Sequence, residues 1–168
     1  MILEAAALIS TCLRDGGKVL FFGNSDSAAD AQHVAAEFVG QFVLERAGLP
    51  AIALRTDSSI LTAVGNDYGF EQVFARQVQA LGRAGDVAVA ISTSGNSPNV
   101  LAGIKEAKER NLKTIGLTGK DGGALAKQSD VAITIASTSR ARIQECHIAI
   151  GHLFCELVDA DLGKTRLS

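Results

Sequence analysis

Apolar positions along the chain switch between helical spacing and short continuous runs, and the switching predicts a regular succession of elements. Ile2 to Leu13 repeats at helical spacing (Leu3, Ala6, Ile9, Leu13) and stops at Asp15-Gly16-Gly17. Lys18 to Phe22 is a short apolar strand closed by Gly23-Asn24-Ser25-Asp26-Ser27, and an alanine-rich helical pattern continues from Ser27 to about Leu44. Leu49-Pro50 introduces a strand over Ala51 to Leu54. A helical piece follows over Ser58 to Val64, and Gly65-Asn66-Asp67-Tyr68-Gly69 turns the chain into a helix from Phe70 to Leu81. Val87 to Ile91 is a third strand, followed by a helix from Pro98 through Asn111, and Lys113 to Leu117 is a fourth. The loop from Thr118 to Gly123 leads into a short helix, Val131 to Ile135 is a fifth strand, and a long helix runs from Arg140 to about Leu162. The tail from Gly163 to Ser168 is expected to fray.

Strands alternating with helices imply an α/β fold: a doubly wound, five-stranded parallel sheet flanked by helices on both faces, joined by right-handed crossovers. In such a sheet the ligand lies outside the carboxyl ends of the strands, near the point where the strand order reverses. The polar loops after strands one, three and four all leave from that edge. With 168 residues and no repeat, linker or low-complexity segment, one domain over 1–168 is the expectation.

The densest polar punctuation lies between the third strand and its helix. Asp86-Val-Ala-Val-Ala-Ile91 reads as a buried strand and changes abruptly into Ser92, Thr93, Ser94, Gly95, Asn96 and Ser97, followed by Pro98. Four hydroxyls and a glycine before a helix N-terminus make an anion cradle, because backbone N–H groups and the positive end of the helix dipole point at the ligand. Ser97 is placed to cap the helix, with Pro98 at its first position. The loop holds no lysine, so it is not the Gly-Lys-Ser/Thr nucleotide loop. It reads as a monophosphate site for a sugar phosphate; the plainer alternative is an ordinary polar turn. Gly23-Asn-Ser-Asp-Ser27 does not supply the G-x-G-x-x-G spacing of a dinucleotide-binding turn.

Composition narrows the functional classes. A net charge of -2 gives no electrostatic case for nucleic acid or an anionic membrane, and no apolar run approaches the roughly 20 residues that span a bilayer. The N-terminus has an acidic Glu4 and no basic-then-apolar leader. Cys12, Cys146 and Cys155 have no paired spacing and fall in apolar helical patterns, as in a reduced, cytoplasmic protein.

Two helices carry candidate chemistry. His33 and Glu37 are four apart, so they share one helix face and suit either a divalent metal, a base, or a plain surface pair. On the last helix, His152 sits in an apolar stretch, as a buried or interfacial histidine. Gln144 and His152 are eight residues apart, roughly 12 Å along a helix, so one copy does not present both to a single atom. If both serve one site, they come from different subunits of a symmetric oligomer with this apolar helix at its interface.

Taken together, the residues resemble the sugar isomerase (SIS) domain family, with its flavodoxin-like three-layer sandwich, and within it the phosphoheptose isomerases. The likeness covers Gly23-Asn24, Ser27-Ala-Ala-Asp-Ala-Gln-His33, Glu37, Leu49-Pro-Ala-Ile-Ala-Leu54, Gly65-Asn-Asp-Tyr-Gly-Phe70, Ile91-Ser-Thr-Ser-Gly-Asn-Ser97, Leu117-Thr-Gly-Lys-Asp-Gly-Gly123, and Ala141-Arg-Ile-Gln-Glu145 with His147 and His152. The resemblance implies a homotetramer, with sites shared between subunits, that converts sedoheptulose 7-phosphate to D-glycero-D-manno-heptose 7-phosphate for bacterial lipopolysaccharide. It implies phosphate binding by Ser92, Thr93, Ser94 and Ser97, and substrate contacts from Asn24, Ser25, Asp26, Glu37, Asn66, Asp67 and Gln144. It also implies zinc on His33, Glu37, Gln144 and His152, with Glu37 and His152 moving protons. Moving a proton between C1 and C2 through an enediolate needs a base on carbon, an acid/base for the two oxygens and a stabiliser of oxyanion charge, and these residue types supply them.

Three features depart from the family pattern. Ser25-Asp26 stands where members have Gly-Gly, and Asp26 repels an anionic substrate unless its side chain turns away. Gln41 stands where catalytic members carry arginine, and the family's N-terminal helix is expected to be shortened or missing. The competing class is a non-catalytic SIS adaptor like the bacterial replication-initiator-associating protein, which lacks counterparts of Glu37 and His152. A sugar-phosphate-sensing regulator would need a DNA-binding module.

Overall fold

The computed structural model describes residues 1–54 and 57–163. Helix α1 (Ile2–Arg14) precedes strand β1 (Val19–Gly23), which feeds helix α2 (Asp26–Val39). Strand β2 (Ala51–Ala53), helix α3 (Ser58–Tyr68), a 3-10 turn (Phe70–Gln72) and helix α4 (Val73–Leu81) follow. Then come β3 (Val87–Ser92), α5 (Pro98–Glu109), β4 (Lys113–Gly119), α6 (Gly123–Gln128), β5 (Val131–Ile135) and α7 (Arg140–Leu162). All strand pairs are parallel, in the order β2-β1-β3-β4-β5. The expected doubly wound sheet is present, and the order reverses between β1 and β3.

The two-residue period of the strands separates two cores. Val19, Phe21, Val87, Val89 and Ile91 face α1, α2 and α7, where Ile9, Val34, Phe38, Phe154 and Val158 are buried. Leu20, Phe22, Ala88 and Ala90 face the other way, against Phe74 and Val78 of α4 and Ile104 of α5. Both faces of the central strands are thus covered, which explains why β1 and β3 read as unbroken apolar runs.

Several boundaries differ from the sequence expectation for local reasons. Helix α2 ends at Val39 rather than near Leu44, because Arg46 folds back and donates to the carbonyls of Phe38 (2.8 Å) and Glu37 (3.1 Å). Arg46 also pairs at 2.6 Å with Asp159 of α7, and both side chains are buried. The carboxylate of Asp159 accepts from the Val43 and Leu44 amides as well, so the loop after α2 is tied to α7. Helix α3 continues through the expected turn at Gly65-Asn66-Asp67 and stops at Gly69, whose φ of 86° ends the helix. The expected helix from Phe70 opens with a 3-10 turn, and α5 ends two residues early. The tail at 164–168 lies outside the described residues. Cys12 and Cys155 are buried as expected, their thiols pushed up to about 11 and about 12 chiefly by burial, and Cys146 is half-buried. Among the described residues, no helix is long and apolar enough to cross a membrane.

Candidate active site

At the carboxyl edge of the sheet, where the strand order reverses, the loops after β1 and β3 enclose a cavity of about 360 Å³. Ser92 ends β3, and its hydroxyl lies 3.3 Å from that of Ser94 and 3.1 Å from that of Ser97. Three hydroxyls therefore converge within a six-residue stretch. Ser97 occupies the N-cap position of α5 as expected, but its side chain makes no capping bond and turns instead toward Ser92. The helix entrance is left to interact with a ligand.

The loop is held by its surroundings. Gly95 has a φ of 67° and packs against the backbone of Gly122, where a side chain would collide. The Leu125 amide donates to the Gly95 carbonyl, and Asn96 Oδ1 accepts from the Ala124 amide at 3.0 Å. Across the switch point, Asn24 and the buried Asn99 exchange two hydrogen bonds, of 2.8 and 2.9 Å, clipping the end of β1 to α5. Asn24, expected to touch substrate, is thus engaged by a partner that sequence reading missed.

Asn24, Ser25, Asp26, Ser92, Thr93, Ser94 and Ser97, the residues the resemblance assigns to substrate and phosphate, all line the cavity. Lys120, from the loop after β4, and Arg140, first residue of α7, line it too and were missed. The signal available was topological: the loop after β5 leaves from the same edge as the others. Ser25 has a φ of 55° and ψ of −122°, a backbone conformation that favours glycine.

A second cluster lies where α2 packs beside α7. Gly151 lets the helices approach so closely that a Cβ there would meet Val34 Cγ2 at 2.5 Å. Gln144 Nε2 donates to Asp30 Oδ1 at 2.8 Å. Because a carboxylate side chain accepts from this amide, the Gln144 carbonyl oxygen is the group turned elsewhere. Further along, His33 Nε2 is 2.9 Å from His152 Nε2 and 3.7 Å from Glu37 Oε1, and Phe42 stacks on the His152 ring at 5.5 Å. A hydrogen bond between these two Nε2 atoms needs one of them to carry a hydrogen and the other to be bare.

Beneath Gln144, the buried His147 donates from Nε2 to the Thr118 carbonyl at 2.9 Å. Burial lowers its affinity for a proton, against the opposing pull of Thr118 and Asp30. Burial likewise raises the Asp30 carboxyl above the usual range, with Gln144 acting the other way. Asp30 Oδ2 and His147 Nδ1 are buried without a hydrogen-bond partner.

The expected site residues therefore fall into three places. The cradle is assembled, and His33, Glu37 and His152 meet one another within one chain. The sharing of sites between subunits that the resemblance implies is therefore not needed to bring His152 near His33 and Glu37. Gln144 stays with Asp30, apart from His152. Asn66 and Asp67 lie exposed on the last turn of α3, hydrogen-bonded to each other rather than lining the cavity.

Glu37 lies eleven residues beyond Asp26 on α2, about 16 Å along the axis, well away from the cradle of its own chain. Imidazole and carboxylate donors suit zinc. Yet the four expected donors do not converge, and among the described residues of one chain no group of three or more His, Cys, Asp or Glu is arranged to hold a metal.

Comparison with known proteins matches the SIS domain to residues 1–119. The chain is similar to the phosphoheptose isomerase of Aquifex aeolicus, 57% identical over 94% of this chain and 83% of that protein. Among solved structures, it superposes on the phosphoheptose isomerase from Neisseria gonorrhoeae with a TM-score of 0.89 at 51% identity, and on one from Francisella tularensis with 0.91 at 44%. Each covers 95% of this chain and 85% of the solved one.

Proposed function

Because this chain belongs to the SIS domain family and stands among its phosphoheptose isomerases, we propose that it interconverts sedoheptulose 7-phosphate and D-glycero-D-manno-heptose 7-phosphate through an enediolate. The enzyme reading is favoured over the adaptor: relatives 54–58% identical over 94–99% of this chain carry the isomerase name. The observation that carries the substrate class is the convergence of Ser92, Ser94 and Ser97 hydroxyls at the switch-point cavity.

In this reading the hydroxyls and the entrance of α5 hold the phosphate, fixing the far end of the open-chain sugar. Glu37 takes the proton from one carbon and returns it to the next, while His152 exchanges protons with the two oxygens. The separation along α2 supports completion of each cradle by Glu37 and His152 of another copy, in a homotetramer with α7 at the interface. Asn66 and Asp67, exposed on α3, reach the sugar in the same assembly.

Zinc belongs to this reading as well, on His33, Glu37, Gln144 and His152 contributed by more than one copy, since among the described residues no single chain assembles them; the nitrogen and carboxylate donor types support it. When bound, it would polarise the substrate carbonyl. The unpaired cysteines, Cys12 and Cys155 buried and Cys146 half-buried, support a cytoplasmic setting, and heptose for lipopolysaccharide is the product's proposed use.

Incubating the purified protein with sedoheptulose 7-phosphate, with and without zinc, tests the reading directly. Aldose formation is expected, and its absence from an intact oligomer would overturn it. Elemental analysis of the purified protein reads zinc independently, with the content expected to fall in His33→Ala.

A further inference from the structure

Charge around the mouth of the cavity is unevenly placed. Lys120 and Arg140 line it from the loop after β4 and the start of α7, and Asp26 lines it from the first turn of α2. Arg140 Nη2 lies 3.8 Å from Asp26 Oδ2, and both side chains are about two-thirds exposed, at 68% and 65%. An exposed pair at that separation is weak. A guanidinium bound to phosphate through two parallel hydrogen bonds is stronger and more directional.

The hydroxyl cradle, for its part, offers donors but no full positive charge. A phosphate seated on Ser92, Ser94 and Ser97 would therefore have an arginine within the same cavity and a carboxylate competing for it.

Resting on the sugar-phosphate reading above, we propose that Asp26 is the resting counter-ion of Arg140, and that an incoming phosphate takes Arg140 from it. This exchange of partners sets the affinity for phosphorylated sugars and rejects neutral ones, which have nothing to offer the guanidinium. Asp26 is not stranded by the exchange, because it stays in the first turn of α2, where the helix dipole favours a negative charge. The repulsion expected of Asp26 from the sequence is thereby offset by a cation that the fold places beside it.

The test uses the assembled protein, with sedoheptulose 7-phosphate as substrate and inorganic phosphate as competing probe. Arg140→Ala is expected to raise KM and the phosphate inhibition constant about tenfold, as for a lost hydrogen bond to a charged group, with a smaller change in kcat. Arg140→Lys recovers part of that loss. Asp26→Asn is expected to lower both constants about threefold, a gain that disappears when Arg140 is also alanine.

Unchanged phosphate inhibition in a folded Arg140→Ala protein would overturn the exchange, as would an Asp26→Asn gain of equal size with and without Arg140. Ser97→Ala separates the two levels. If it weakens phosphate while Arg140→Ala does not, the cradle stands and the exchange fails. If neither variant affects phosphate, the sugar-phosphate reading itself fails.

Discussion

The hydroxyl cradle and the seam between α2 and α7 are built from different material. Ser92 and Ser97, which meet at 3.1 Å in the cradle, are five residues apart in the chain. Across the seam, Asp30 meets Gln144 over 114 residues and His33 meets His152 over 119. The cradle needs only a strand end and a helix start, so local chemistry specifies it. The seam needs two helices on the same face of a finished sheet, held close by Gly151 against Val34 and by the buried Arg46–Asp159 pair. One region is laid out by residues a few positions apart, whereas the other brings ionisable groups together only after the core has formed.

Substitutions can break or sharpen that contrast. Glu37→Gln and His152→Gln are expected to lower turnover by about 10² to 10⁴ each, as for loss of a general acid or base. Phosphate inhibition should stay close to wild type in both, because the cradle is built elsewhere. Steady-state kinetics of folded variants checks this, and wild-type turnover in both would remove Glu37 and His152 from the chemistry.

Asp159→Ala strands a buried guanidinium and frees the loop that carries Phe42, costing about 3–5 kcal/mol in urea unfolding. A loss within the range of an ordinary surface change would mean that the pair does not anchor the seam. Ser97→Ala removes one of the converging hydroxyls, and KM should rise about tenfold with kcat changing less. A change confined to kcat would place Ser97 outside phosphate binding.

Ser25→Gly should stabilise the fold by about 1 kcal/mol, since glycine tolerates the backbone angles that strain a serine. An unchanged melting temperature would show that the loop absorbs the strain. The smallest effect concerns pH. His147 is held neutral by burial, so below its unfolded value of 6.5 the unfolded chain binds a proton that the native one does not. Stability therefore falls as pH drops from 6.5 toward the lower folded value, and His147→Gln should flatten that part of the melting curve. Asp30 has the opposite sign: its raised pKa favours the native state in acid and loses that contribution as pH rises through the folded value.

Much of this molecule is legible before folding. The two core faces follow from period two in Val19 to Phe22, and the cradle from the change at Ser92 after an apolar run. The end of α2 is not legible in the sequence, because its stop is Arg46, which reaches back to Phe38 and pairs with Asp159 more than a hundred residues away. Gly65 predicts a break, yet α3 passes through it and ends at Gly69, whose φ is 86°.

By itself, the chain's pattern determined the doubly wound α/β class, the five strands and the hydroxyl loop, because these depend on spacing and on neighbours a few residues apart. Tertiary structure alone decided that Asn24 is clipped by Asn99, that Lys120 and Arg140 face the cavity with Asp26, and that His152 stands beside His33 and Gln144 beside Asp30. Those relations are set by how helices cross the sheet and by which residues a buried ion pair draws together. Such distances arise only when separate parts of the chain pack against one core.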